Sequence, residues 1–172
     1  FKDYLCKKIL SKNSELHNVY HGQTCYLFGN GYSLKYIDLK KFNNVLSFTT
    51  GLNYIHKDFS HLNIVGDFHL HPGIFSPIWR HPYTHKITII NKTRKFLLKS
   101  KRIPDDIKFF TSLYNYPFLK KNKNTFYLHN FGASLDFNKI NPAYEFSLMS
   151  GSIFATIGIA AYMGFKLSLI HI

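Results

Sequence analysis

Short apolar runs alternate along this chain with polar stretches punctuated by glycine, asparagine and proline. Thr24 to Phe28, Val45 to Thr50 and Leu62 to His71 are compact aliphatic and aromatic runs. Each stops at a turn signal: Gly29-Asn30-Gly31, Gly51 and Pro72-Gly73. Runs of this length bounded by breakers predict buried strands. Ile107 to Thr111, Thr125 to His129 and Leu167 to Ile172 read the same way. Phe1 to Leu16 carries Phe1, Leu5, Ile9 and Leu10 at helical spacing, with lysines between. Ser33 to Phe42 predicts a short helical or irregular crossover, closed by Asn43-Asn44. Pro77 to Pro82 predicts a loop. Thr84 to Lys101 mixes signals: Ile87, Ile89 and Ile90 favour strand, Lys92 to Leu98 helix, and the segment is assigned mainly to helix. Ile103-Pro104-Asp105-Asp106 is a break, and Asn130 to Pro142 a polar connection. Met149 to Met163 is a helix apolar on all sides, hence buried, with Gly164 as its stop. Strands alternating with helices predict an α/β fold: a Rossmann-like, mostly parallel sheet flanked by helices, with right-handed crossovers. No repeat or long linker divides the chain, so residues 1–172 read as one domain.

The corner after the first strand is the most informative stretch. In Tyr26-Leu27-Phe28-Gly29-Asn30-Gly31-Tyr32-Ser33-Leu34, an apolar run meets two glycines and then a hydroxyl residue. Gly29 and Gly31 permit positive φ and close approach of a ligand to the backbone. Ser33 is placed to cap a following helix, whose free N–H groups would face an anion. Asn30 adds a donor and an acceptor at the tip. Nucleotide-binding sheets hold ligands at such strand ends. The pattern is neither GxGxxG nor a Walker loop, because no Gly-Lys-Ser/Thr follows.

Composition narrows the picture. Hydrophobic residues at 45% and charged residues at 18% describe a globular chain rather than a disordered one. Cys6 and Cys25 form no CxxC, which argues against a disulfide framework or zinc knot and fits a reducing, cytoplasmic setting. The first residues lack the apolar core of a leader. The apolar segment Ser150 to Phe165 falls short of the ~20 residues that a membrane span requires. A formal charge of +13 favours anionic partners: nucleotides, nucleic acid or an acidic membrane face. Basic residues gather at Lys92 to Arg102 and at Lys120, Lys121 and Lys123.

Phe28-Gly29-Asn30-Gly31-Tyr32-Ser33-Leu34, followed by Ile37-Asp38-Leu39, resembles the opening of the bacterial sialyltransferases of glycosyltransferase family 42. Those proteins usually read Gly-Asn-Gly-Pro-Ser-Leu and then Ile-Asp; Tyr32 stands where proline is usual. Ser150-Gly151, the apolar helix Ile153 to Met163, Gly164-Phe165-Lys166 and the strand Leu167 to Ile172 are similar to a second segment of the family. There the strand runs on into Gly-Ile-Asp, and here the chain stops at Ile172. The resemblance therefore implies a fragment truncated at the C-terminus, inactive alone, with the catalytic groups beyond Ile172 and no catalytic base assigned within the chain. It implies metal-independent, inverting transfer of a sugar from a CMP-activated donor to a glycan or lipid-linked glycan, as in bacterial lipopolysaccharide or capsule synthesis. No cofactor beyond that donor, no metal and no nucleic acid are expected. Peripheral contact with an anionic inner-membrane face is. Asn30 and Ser33 match the family's nucleotide-contacting residues, Gly29 and Gly31 its turn, and Ser150 and Gly151 its Ser-Gly pair. Asn53 lies two residues beyond the family's asparagine position, held here by Gly51. His71-Pro72 stands in place of Asn-Pro, and Ser147 in place of an arginine, so contacts to the sugar are expected to differ.

Three rival readings compete. The archaeal-type 6-hydroxymethylpterin pyrophosphokinases share a similar glycine turn and transfer a diphosphate. Asp67, His69 and His71 alternate along one predicted strand, with ligand-like spacing for a zinc hydrolase that His61, His81 or His85 could complete. Against it stand only nine carboxylates, and ten histidines make chance pairs common. Finally, Tyr114, Tyr116, Phe118, Lys120, Lys121, Lys123 and Phe126 interleave rings with cations, a composition that can stack bases. No RNP, KH or zinc-finger pattern accompanies them.

Overall fold

A computed structural model describes residues 2–51, 53–71, 75, 106–119, 123–129, 141–144 and 151–171. Ser150, the loop Pro77 to Pro82, the segment Thr84 to Lys101 and its basic cluster, Lys120, Lys121, His81 and His85 lie outside the described residues, as does most of the polar connection after Asn130.

The predicted α/β architecture is present. Among the described residues, six strands form one sheet: β1 Thr24–Phe28, β2 Leu46–Thr50, β3 Asn63–His69, β4 Lys108–Ser112, β5 Thr125–Leu128 and β6 Leu167–His171. Their order is β5-β4-β3-β2-β1-β6, and every neighbouring pair is parallel. Strands of such a sheet are covered on both faces, which is why they read as apolar runs rather than as alternating ones.

One face carries α2, Ser152–Tyr162. Ala155, Ile159, Ala160 and Met163 pack there with Cys25, Leu27, Phe48, Phe68, Phe110 and Phe126. Close strand packing on this face depends on Gly66. A methyl at that position would come within 2.6 Å of the Phe110 ring and 3.0 Å of Phe48. The β2–β3 register slips beside it, with Ser47 opposite Ile64 and Phe48 opposite Gly66, which leaves Val65 as a bulge. The helix ends in a Schellman motif: Phe165 N donates to Ala160 O and Gly164 N to Ala161 O, with Gly164 at φ +87°. Its C-terminus is tied to the approach to β1, since Gly22 N donates to Gly164 O and Tyr20 N to Met163 O.

The opposite face is closed without a described α-helix. Short 3-10 turns at Tyr32–Tyr36, Leu39–Phe42, Asn53–Ile55 and Phe59–His61 set Leu34, Leu39, Tyr54, Phe59 and Leu62 against Phe28. Two expectations change here. The helix over Phe1 to Leu16 is α1, Lys2–Leu10, followed by a 3-10 turn over Ser11–Leu16. In that turn, buried Asn13 donates to Tyr127 O and Pro142 O, and Leu16 enters the core. The helix expected to follow Gly31 is a five-residue 3-10 turn with Gly31 as N-cap and no side-chain cap bond. Ser33 lies inside that turn rather than at its N-cap. Among the described residues, no helix is long and apolar enough to cross a membrane.

Candidate functional site

The strand order reverses at β1. From there the chain steps outward through β2, β3, β4 and β5, and β6 then pairs on the other side of β1. A crevice at the carboxyl ends of β1 and β6 is where an open parallel sheet holds its ligand. Gly29-Asn30-Gly31 leaves β1 at that point. The geometry of α2 brings a second predicted residue to the same end of the sheet. Its C-terminus is bonded to the loop that enters β1. Its eleven residues rise about 16 Å, the length of a five-residue strand. Gly151, the N-cap of α2, therefore lies at the carboxyl end of the sheet, at φ +153°.

The β1 corner is built differently from its sequence reading. Gly31 has φ −75°, and neither Gly29 nor Gly31 is among the positive-φ glycines. The left-handed residue is Gly51, at the end of β2, with φ +69°. A methyl on Gly51 would meet Cβ, Cγ and Nδ2 of Asn30 at 3.1–3.2 Å. Gly51 is thus both a turn and the floor on which the Asn30 side chain lies. Register extends the row: Phe28 pairs with Thr49, Thr49 with Asp67, and Gly51 N donates to Phe68 O at 3.0 Å. Asn30, Gly51 and His69 consequently stand level across three adjacent strand ends. Alternation puts all three on the face that carries Phe28, Thr49 and Asp67.

Asn53 holds this corner from behind. Its Nδ2 donates to Phe28 O at 2.7 Å, its side chain is buried, and its Oδ1 has no hydrogen-bond partner. A side chain so placed fixes the carbonyl just before Gly29. The backbone turn, more than ligand contact, accounts for Asn53.

Beside the row lies a buried polar cluster. Thr49 Oγ1 donates to Asp67 Oδ1 at 2.7 Å, and His69 Nε2 meets Asp67 Oδ2 at 2.8 Å. The His69 ring stacks on Phe109, with centroids 5.2 Å apart, and its Nδ1 has no hydrogen-bond partner. Tyr54 lies 5.9 Å from that ring, and its phenol is pushed up to about 12, first by burial and then by the negative charge of Asp67. Thr111 Oγ1 donates to His69 O, and Asn115 Nδ2 to Thr111 Oγ1 and to His71 O. His71 is exposed, whereas Asp67 and His69 are buried.

The proposed ligand triad Asp67, His69 and His71 therefore does not come together. Both carboxylate oxygens of Asp67 are engaged by Thr49 and His69. Among the described residues, no group of three or more His, Cys, Asp or Glu side chains is placed to hold a metal. The aromatic-basic run divides as well: Phe126 is in the core, stacked on Phe110, Tyr116 packs edge-on against Tyr127, and Tyr114 and Phe118 are exposed.

Sequence reasoning overlooked Thr49, whose hydroxyl joins His69 in making a carboxylate tolerable inside β3, and Tyr54, which lies beside the His69 ring. The available signal was Asp67 itself, a charge in an otherwise apolar strand, which demands neighbours that donate to it. It also overlooked Lys35. Its ammonium lies 3.5 Å from the ring centroid of Tyr32 and 4.6 Å from that of Tyr36, one turn beyond the glycine corner. No family model, curated protein or solved structure matches the chain.

Proposed function

We propose that this chain is the nucleotide-binding part of a sialyltransferase-like glycosyltransferase, one that takes a sugar from a CMP-activated donor without a metal and delivers it to a glycan at an anionic membrane face. The observation that carries the reading is the corner at the β1–β6 switch point. Gly29-Asn30-Gly31 leaves the sheet there, Asn53 fixes its backbone, and Asn30 rests on Gly51 with its amide at the strand ends. An amide so supported suits the hydroxyls and base edges of a nucleoside, and the chain's net charge of +13 suits its phosphate. Ser33, exposed in the following turn, adds a hydroxyl beside it. The chemistry passes through an oxocarbenium-like state, so the site must hold the departing CMP while a base takes the acceptor's proton.

Titration calorimetry with CMP in the presence of a chelator tests the reading. CMP is expected to bind the protein, and Asn30→Ala and Ser33→Ala are each expected to weaken it about tenfold, the loss of one hydrogen bond to a charged ligand. Unchanged affinity in both variants would remove the corner from the site. Binding of ATP with magnesium in place of CMP would replace the transferase with a diphosphate-transferring enzyme.

A further inference from the structure

The turn that follows the glycine corner exposes two large aromatic side chains. Tyr32 and Tyr36 are 76% and 73% exposed, whereas Tyr54 and Phe59, in the turns that follow β2, are buried. Their rings meet at 72° with centroids 5.9 Å apart, forming a notch rather than a slot. The Lys35 ammonium sits within it, over both rings. The phenol of Tyr32 lies below its ordinary value, chiefly because it hydrogen-bonds to Lys35 and then to Tyr36. The platform is anchored from below. Leu34 is buried against Phe28 and Leu39, Ile37 packs on the same cluster, and Leu34 N and Ile37 N close the turn onto Gly31 O and Leu34 O.

The Lys35 ammonium has no ion-pair partner among the described residues. Asp38 spends its carboxylate on the backbone N–H of Lys40, and Asp58 pairs with the Lys40 ammonium at 3.8 Å. The notch thus offers the exposed ring surface that the ammonium leaves uncovered, two hydroxyls and one cation without a carboxylate partner, beside the corner assigned to the nucleotide.

We propose that Tyr32, Lys35 and Tyr36 form a subsite for a carboxylated pyranose of the acceptor glycan. A saturated sugar ring carries an apolar C–H face and, when acidic, a charge on the same rigid body. The C–H face covers a tyrosine ring, and the carboxylate meets the ammonium and the phenol hydroxyls. Rings set at 72° do not offer the parallel faces that successive nucleobases stack on. This assignment rests on the glycosyltransferase reading for the word acceptor, but the binding it describes does not require that reading.

The test compares cellobiouronic acid with cellobiose, and both with a single-stranded oligouridine, in calorimetric titrations of the protein. The acid is expected to bind at least tenfold tighter than the neutral disaccharide. Lys35→Gln should bring the acid down to the level of cellobiose, and Tyr32→Ala and Tyr36→Ala should each weaken the acid about tenfold while leaving CMP affinity unchanged. Equal binding of the two disaccharides, or an acid preference that survives Lys35→Gln, would overturn the subsite. So would oligouridine binding that the same three variants abolish. If CMP fails to bind while the acid still prefers the notch, the nucleotide reading falls and the subsite stands. If CMP binds and the acid does not, the reverse holds. The three side chains are exposed, so the variants keep the core intact.

Discussion

Removing the carboxylate of Asp67 is the sharpest probe of the central sheet. Asp67 and His69 are almost wholly buried, and the carboxylate accepts twice, from Thr49 and from His69 Nε2. In Asp67→Asn the amide can accept on one side only. If its oxygen faces His69, its NH2 faces Thr49 and the threonine proton loses its acceptor. If its oxygen faces Thr49, its NH2 faces Nε2, and the imidazole proton must move to Nδ1, which has no partner. Either orientation strands one buried donor, at a cost of about 1–3 kcal/mol. Asp67→Ala strands both donors and opens a small cavity, so at about 1–3 kcal/mol for each stranded donor it costs roughly twice as much. A domain has about 5–15 kcal/mol in all, so the alanine variant should be badly compromised and the asparagine variant measurably so. Urea unfolding followed by far-UV circular dichroism separates these outcomes. The midpoint should fall in the order wild type, Asn, Ala, with the slope unchanged. A double variant, Asp67→Ala with His69→Leu, should cost less than the sum of the single changes, because the second change removes the group that the first left unsatisfied. An Asp67→Ala protein within 1 kcal/mol of wild type would refute the reasoning and show that water reaches this cluster.

Other expectations follow from single contacts. Gly51→Ala combines φ +69° with a methyl against Asn30, so it should cost about 1–2 kcal/mol by urea unfolding and also weaken CMP binding; loss of stability alone would separate Gly51 from the site. Gly164→Ala puts a methyl 2.9 Å from the His21 backbone at φ +87°, and should lower the melting temperature more than Gly158→Ala in the middle of α2. Tyr54 and Tyr127 are both pushed up to about 12, chiefly by burial. Their protonated forms are favoured in the fold, so the stability they contribute is present below pH 10 and is lost as pH rises from about 10 to 12. Burial also pushes the Tyr162 phenol up, so absorbance at 295 nm should show at least these three phenols titrating late in the folded protein and normally in urea.

Much of the sheet was legible because buried parallel strands announce themselves. Thr24 to Phe28 was found to the residue, and the strand after Gly164 was found from the glycine stop that precedes it. Boundaries drifted where the apolar run outlasted the ladder. Leu62 and Leu70 are apolar, yet the strand runs over Asn63–His69, because Leu62 belongs to a turn and packs on the opposite cluster. The bulge at Val65 has no local signature beyond Gly66, whose neighbours Phe48 and Phe110 come from other strands. The site was legible as a list of types but not as a geometry. Gly29 and Gly31 looked like the flexible residues. Gly51 carries the strained backbone, and only the pairing of β1 with β2 shows why.

The short turn after β1 also changes where charge recognition must come from. An α-helix beginning at Ser33 would have aimed aligned peptide dipoles and free N–H groups at a phosphate. Five residues of 3-10 turn, in which Leu34 N is already bonded to Gly31 O and the Ile37 N just beyond to Leu34 O, supply little of that field. An anion at this corner must instead be met by side chains, the Asn30 amide and the Ser33 hydroxyl, while the Lys35 ammonium stands over the neighbouring tyrosine notch. Hydrogen bonds from neutral groups at the corner are insensitive to salt, whereas an exposed ammonium is screened within about 8–10 Å at ordinary ionic strength. Binding at the corner and binding at the tyrosine notch should therefore separate on raising salt, with the acidic sugar released first and the nucleoside retained. A common salt dependence for both ligands would mean that Lys35 serves the phosphate, and that corner and notch are one site.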